Sequence, residues 1–104
     1  MPPKSERLTK YDFSGLKKRT TLVSSLFDIV YITSPTSKVA CVIAKKRIPK
    51  AVDRNKIKRK LYHIYRENKP KKPYIIIFYP KKESLYAPHK KLNNEMVTLF
   101  ATLQ

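Results

Sequence analysis

Acidic residues are scarce in this 104-residue chain: 7 Asp and Glu stand against 24 Lys and Arg, a formal net charge of +17. Too few carboxylates exist to neutralise that charge internally, so a compact state repels itself and the field is suited to a polyanionic partner. Cysteine occurs once, at Cys41, which excludes an intramolecular disulfide and fits a reducing compartment. Glycine also occurs once, at Gly15, and the sequence contains neither a GxGxxG loop, a P-loop nor a zinc-ligand spacing. Long apolar runs are missing too. The longest, Tyr74 to Pro80, falls far below the roughly 20 residues that span a bilayer. Met1 to Arg7 is followed by no apolar stretch of the kind a signal peptide needs, so the expected location is cytoplasmic, with no membrane partner.

Catalytic groups are equally thin. The two histidines, His63 and His89, read as lying in different elements without an acidic neighbour at useful spacing. General acid–base catalysis usually needs paired imidazoles and metal-assisted hydrolysis clustered carboxylates, and seven scattered acids do not make a two-metal site. Cys41 falls in an apolar stretch and reads as a small buried hydrophobe rather than a nucleophile.

What remains is enough for one modest core. Hydrophobic residues are 41% of the chain and aromatics 11%, more than a disordered basic tail carries. Residues 1–7 read as a flexible N-terminus and 8–104 as a single domain. Thr9 to about Arg19 can form a short helix with Leu8, Phe13 and Leu16 toward one side, although Gly15 weakens it by about 1 kcal/mol relative to Ala. Leu26 to Ile32 and Val39 to Ala44 read as strands, and the turn cluster Thr33-Ser34-Pro35-Thr36-Ser37 between them predicts a hairpin with a longer loop. Pro73 opens Tyr74 to Tyr79, a run bounded by prolines that predicts a strand buried on both faces. Leu92, Met96, Leu99, Phe100 and Leu103 recur at helical spacing and predict an amphipathic C-terminal helix. The order of elements describes an α+β fold, a small sandwich of helices on a mixed sheet.

Between the second and third predicted strands the composition changes. Lys45 to Lys72 holds 13 basic residues against Asp53 and Glu67, so about two-thirds of the net charge sits in about a quarter of the length. Within it Ile57, Leu61, Ile64 and Tyr65 form one apolar stripe, predicting a helix from about Asp53 to Glu67, with Asp53 as N-cap or first-turn acid and Lys69-Pro70 closing the far end. Arg54, Lys58, Tyr62, Asn55, Arg66 and Arg59 are expected around the adjoining flank, with Lys56, Lys60 and His63 on the remaining side. Guanidinium forks and ammonium points on a rigid helix can hold phosphates in register, and Asn55 can address a base edge or ribose hydroxyl. A solubilising helix interleaves Glu at i, i+4; this one is nearly all one sign, which favours nucleic-acid contact. Composition does not choose between RNA and DNA.

These residues also carry a family likeness. Ala44-Lys45-Lys46-Arg47 leading into Ala51-Val52-Asp53-Arg54-Asn55-Lys56-Ile57-Lys58-Arg59-Lys60-Leu61 resembles the signature of the bacterial ribonuclease P protein component. That signature is a strand ending in Lys-Lys, a short loop, then Arg-Asn-Arg-x-Lys-Arg opening a helix. Lys56 stands where the family usually has Arg, which keeps the charge. Leu8 with Asp12-Phe13 looks like the family's first helix, Phe27 to Tyr31 like its long strand, and Tyr74 to Phe78 like the strand after the basic helix.

The resemblance implies an α/β sandwich with a mixed sheet of about four strands, N- and C-terminal helices, and the basic helix in a left-handed βαβ crossover, against the usual hand of such connections. It implies two RNA surfaces. Lys45, Lys46, Arg47, Arg54, Asn55, Lys56, Lys58, Arg59 and Lys60 would dock on a catalytic RNA. Phe13, Tyr31, Lys46, Arg54 and Asn55 would hold the single-stranded 5′ leader of precursor tRNA, the two aromatic rings as stacking platforms. The implied activity is Mg²⁺-dependent endonucleolytic removal of that leader by a ribonucleoprotein. The RNA would carry the chemistry and bind the Mg²⁺, no metal or catalytic residue would come from the protein, and no DNA partner is expected. Two other readings stay open: a structural RNA-binding protein of the ribosomal or chaperone type, needing only the basic face, and a protein-only nuclease.

Overall fold

The computed structural model describes residues 20–103. Phe13 and the helix expected over Thr9 to Arg19 lie outside the described residues. Strand β1 (Thr20–Val23) runs into β2 (Phe27–Thr33), followed by β3 (Lys38–Cys41), helix α1 (Ala51–Glu67), β4 (Tyr74–Pro80), a 3₁₀ turn (Lys82–Leu85) and helix α2 (His89–Leu103). One mixed sheet results, in the order β1-β2-β4-β3.

The hairpin expected between β2 and β3 does not form. β1 and β2 make the hairpin instead, with Thr20 opposite Tyr31 and Val23 opposite Asp28. Ser24 closes its turn: the Phe27 backbone N–H donates to Ser24 Oγ at 3.1 Å, and Ser24 Oγ donates back to the Phe27 carbonyl. β4 inserts between β2 and β3, antiparallel to β2 over seven residue pairs and parallel to β3. The physical reason lies in β4 itself. Tyr74, Ile76, Ile77 and Phe78 are buried, so the strand needs neighbours on both edges as well as cover on its faces. The Thr33–Ser37 connection therefore carries the chain past β4 rather than straight back, and Ser34 N–H donates to the Pro73 carbonyl at 3.3 Å on the way.

Alternation along the strands divides the sheet into two faces. Phe27 and Ile29 of β2, Ile76 and Phe78 of β4, and Val39 and Cys41 of β3 face α1 and α2. Val30 and Ile77 form a small cluster on the opposite face, with Ile32, Ala40, Ile75 and Tyr79 around it. The stripe Ile57, Leu61, Ile64 and Tyr65 of α1 is buried as expected, and so are all five apolar positions of α2. Phe78 sits at the centre, with the Phe27, Tyr65 and Phe100 rings at centroid distances of 5.8, 6.2 and 6.3 Å.

Helix α1 begins two residues before Asp53. Lys50 is its N-cap without a side-chain cap, Asp53 lies in the first turn and Arg66 in the last, each at the end its charge favours. Asn68 terminates the helix: its backbone N–H reaches the Ile64 and Tyr65 carbonyls, and Nδ2 donates to Ile64 O at 2.9 Å and to Asn93 Oδ1 at 2.8 Å. That second bond fixes the end of α1 against α2.

Candidate nucleic-acid interface

The basic loop before α1 has a definite shape. Arg47 and Ile48 N–H groups both donate to the Ala44 carbonyl, closing a turn, and the Ile48 side chain is inserted in the core at 1% exposure. Lys45, Lys46 and Arg47 are thereby left exposed on the outside of the turn. Arg54, one turn into the helix, braces it: Nη1 donates to the Ile48 carbonyl at 2.9 Å and the Pro49 carbonyl at 2.7 Å. Arg54 is half-buried, and one guanidinium nitrogen is committed to holding the loop.

On the helix, Asn55, Lys56, Arg59, His63 and Arg66 are exposed, whereas Lys58 and Lys60 are half-buried. Tyr62, expected on the surface flank, is instead buried within the main core, because the apolar face of α1 is wider than its four-residue stripe and extends past Lys58 to the Tyr62 ring. The outward cationic stripe is correspondingly narrower, and Lys56, Arg59 and His63 define it. Among the described residues, no carboxylate pairs with Lys45, Lys46, Arg47, Lys56, Arg59 or Lys60. No carboxylate competes for these cations, although Arg47 Nη1 also donates to the Pro80 carbonyl at 3.5 Å, and their remaining donors are open to phosphate oxygens.

Tyr31 lies on the helix-covered face of the sheet, half-buried, with its ring edge-on to Tyr74 at 5.7 Å. The Tyr74 hydroxyl in turn donates to the Leu103 carbonyl. Tyr31 pairs with Ile76, two residues along β4 from Phe78, where β3 ends; this offsets it by about 7 Å along the strand from the end of β3, and the basic loop begins farther on, at Lys45. Lys46, Arg54 and Asn55 cluster at the loop and the first turn of α1.

Two features were missed from the sequence. The first is a cleft of about 290 Å³ lined by Asp28, Val42, Ala44, Arg47, Tyr79 and Pro80, beside the basic loop. It joins an aromatic ring and a guanidinium to an apolar floor. Asp28 sits near the start of β2 with Oδ1 at 3.3 Å from Lys81 Nζ. That contact is a charge pairing without an aligned hydrogen bond, and Lys81 Nζ also donates to the Ser24 carbonyl at 2.6 Å. The β2–β4 register sets Tyr79 opposite Asp28, and nothing local in the sequence brings either of them to Arg47. The second is that His63 and His89 are not apart. Their ring centroids are 5.8 Å from each other, and Glu67 lies near both. The i, i+4 spacing of His63 and Glu67 was visible in the sequence; the arrival of His89 depends on how α2 packs.

Cys41 is buried as expected, and burial pushes its thiol up to about 12, with the Lys58 ammonium pulling weakly the other way. The native thiol will therefore resist alkylation at pH 8 and react at full rate only after denaturation; rapid native labelling would contradict this burial. Because the unfolded thiol ionises near its ordinary 9.0 and the folded one near 12, the unfolded chain loses its proton first. Stability from this group is therefore intact below about 9 and falls as pH rises toward 12. Cys41→Ala should remove that component from a comparison of urea midpoints across this range.

The described residues include no group of His, Cys, Asp or Glu arranged to hold a metal ion, and no helix long and apolar enough to cross a membrane. Comparison with curated proteins finds no match. Solved structures do match. The ribonuclease P protein from Thermotoga maritima aligns at 25% identity and a TM-score of 0.82, covering 95% of this chain and 98% of that one. A Staphylococcus aureus RNase P protein aligns at 22% identity and a TM-score of 0.77, covering 94% and 96%. These likenesses support the mixed four-stranded sheet with its helices. The family model described as Ribonuclease P matches residues 1–104, the full length that holds the braced basic loop and the outward cationic helix, and the chain belongs to that family.

Proposed function

We propose that this protein is the RNA-binding subunit of a ribonuclease P holoenzyme, which removes the 5′ leader of precursor tRNA. The observation that carries the reading is the unpaired cationic surface: the exposed turn Lys45-Lys46-Arg47 continues into Lys56 and Arg59 on a rigid helix. Charges fixed on a folded scaffold lose little freedom on meeting a phosphate backbone, so they position a structured RNA as well as attract it. In this reading Lys45, Lys46, Arg47, Asn55, Lys56, Lys58, Arg59 and Lys60 face the catalytic RNA. Arg54 contributes chiefly by holding the loop in the shape that presents them.

The single-stranded leader would run where Lys46, Arg54 and Asn55 meet the sheet, with Phe13 and Tyr31 as stacking groups. The cleft formed by Arg47 and Tyr79 lies on the sheet face opposite Tyr31 and would offer a separate stacking group beside the basic loop. Stacking on aromatic faces tolerates any base, which suits a subunit that must accept many leaders. The chemistry is assigned to the RNA. Among the described residues no three or more His, Cys, Asp or Glu stand together to hold a metal; in this reading, as the family resemblance implies, the RNA would hold the Mg²⁺ required for hydrolysis, and no protein group is given a step.

Reconstitution tests the proposal. Purified protein mixed with a bacterial ribonuclease P RNA and precursor tRNA at low Mg²⁺ should raise the rate of 5′ cleavage well above that of the RNA alone. No gain with a cognate RNA would overturn the reading.

A further inference from the structure

Where α1 meets the start of α2, a cleft of about 350 Å³ is lined by Arg59, Lys60, His63 and His89. Its chemistry is that of an anion seat: two cations from one helix and two imidazoles from two helices open onto the same volume. The imidazoles are more than half exposed, so a ligand can reach them, and their rings lie 5.8 Å apart, a separation that one phosphate group can bridge. Glu67 is the sole carboxylate beside them among the described residues. Its Oε1 stands 3.4 Å from His63 Nε2 and 3.9 Å from His89 Nε2, one oxygen shared between two rings.

We infer that this seam is an additional RNA phosphate site, which carries the RNA surface from α1 onto α2 and grips more tightly as pH falls. The inference rests on the proposed RNA-binding role, and it adds residues and a regulation that the basic helix alone does not supply. The groups facing the imidazoles are Arg59, Lys60 and Glu67 from α1 and each other across the seam; Lys90 and Lys91 follow His89 in α2. Imidazole changes charge between pH 5 and 8. In the neutral state Glu67 offsets part of the field of Arg59 and Lys60. Arg59 and Lys60 already outnumber that carboxylate, and protonating both rings adds two further positive charges facing a phosphate oxygen. The same excess of positive charge makes the cleft unsuited to a cation.

The experiment is fluorescence anisotropy with a labelled bacterial ribonuclease P RNA at fixed 0.1 M salt, at pH 6 and pH 8. The unsubstituted protein should bind about 3- to 10-fold more tightly at pH 6, roughly the effect of one added phosphate contact. The pair His63→Gln with His89→Gln should lose most of that difference. Glu67→Gln should tighten binding at both pH values, an opposite change that a merely structural role for these exposed side chains does not produce. If the RNA binds but the double variant keeps the full pH dependence, the seam is not a phosphate site, while the proposed function stands on its cleavage assay. If the unsubstituted protein fails to bind the RNA even at low salt, both the seam and the wider reading fall.

Discussion

Replacing Lys56 and Arg59 together with alanine should weaken binding to the catalytic RNA by on the order of 10- to 100-fold at 0.1 M salt. Each phosphate contact contributes about 0.7–0.9 to the slope of log affinity against log salt, so the double variant should flatten that slope by about 1.4–1.8. Both side chains are exposed and neither is paired with a carboxylate among the described residues, so folding stability should stay within about 0.5 kcal/mol. An unchanged slope would remove phosphate contact from the role of this face. Arg54→Ala is a poorer probe. Its guanidinium holds the Ile48 and Pro49 carbonyls, so its loss perturbs the loop carrying Lys45, Lys46 and Arg47 along with any contact of its own. Direct and indirect losses would then be mixed.

Phe78→Ala should destabilise the fold by about 3–5 kcal/mol, a large share of the roughly 5–15 kcal/mol that holds a domain together. The ring is fully buried, opposes Ile29 on β2 and Cys41 on β3, and packs against Phe27, Tyr65 and Phe100. One truncation therefore loosens the sheet and both helices at once. Part of the loss is the transfer of the ring and part is the void its rigid neighbours cannot close. Urea denaturation measures it, and a loss below about 1 kcal/mol would mean that the core is not organised around this ring. With a +17 chain, residual stability should also depend on salt, since screening relieves self-repulsion.

Much of the architecture was readable because its determinants are local. The stripe of α1 and the five apolar positions of α2 repeat at the period of the helix, and burial follows from that period alone. The doubly apolar run of β4 announced an interior strand. Tyr62 went astray for an equally physical reason. A ring has both an apolar body and a polar tip, and its side of the helix was settled by how deeply α1 beds into the core. The β2–β3 pairing failed because a turn-rich connection marks where a strand ends without stating which strand lies beside it.

The sequence by itself determined the excess of positive charge, its concentration between Lys45 and Lys72, the apolar periods, and the motif that relates the chain to the Ribonuclease P family. These are properties of composition and short spacing, which survive in any conformation. Tertiary structure alone decided that β4 divides β2 from β3, that Arg54 braces the loop, that Arg47 meets Tyr79 beside Asp28, and that His63 and His89 share one carboxylate. Each of these joins segments whose proximity depends on burying the same apolar faces together, a condition set by the packed core and by no single stretch of chain.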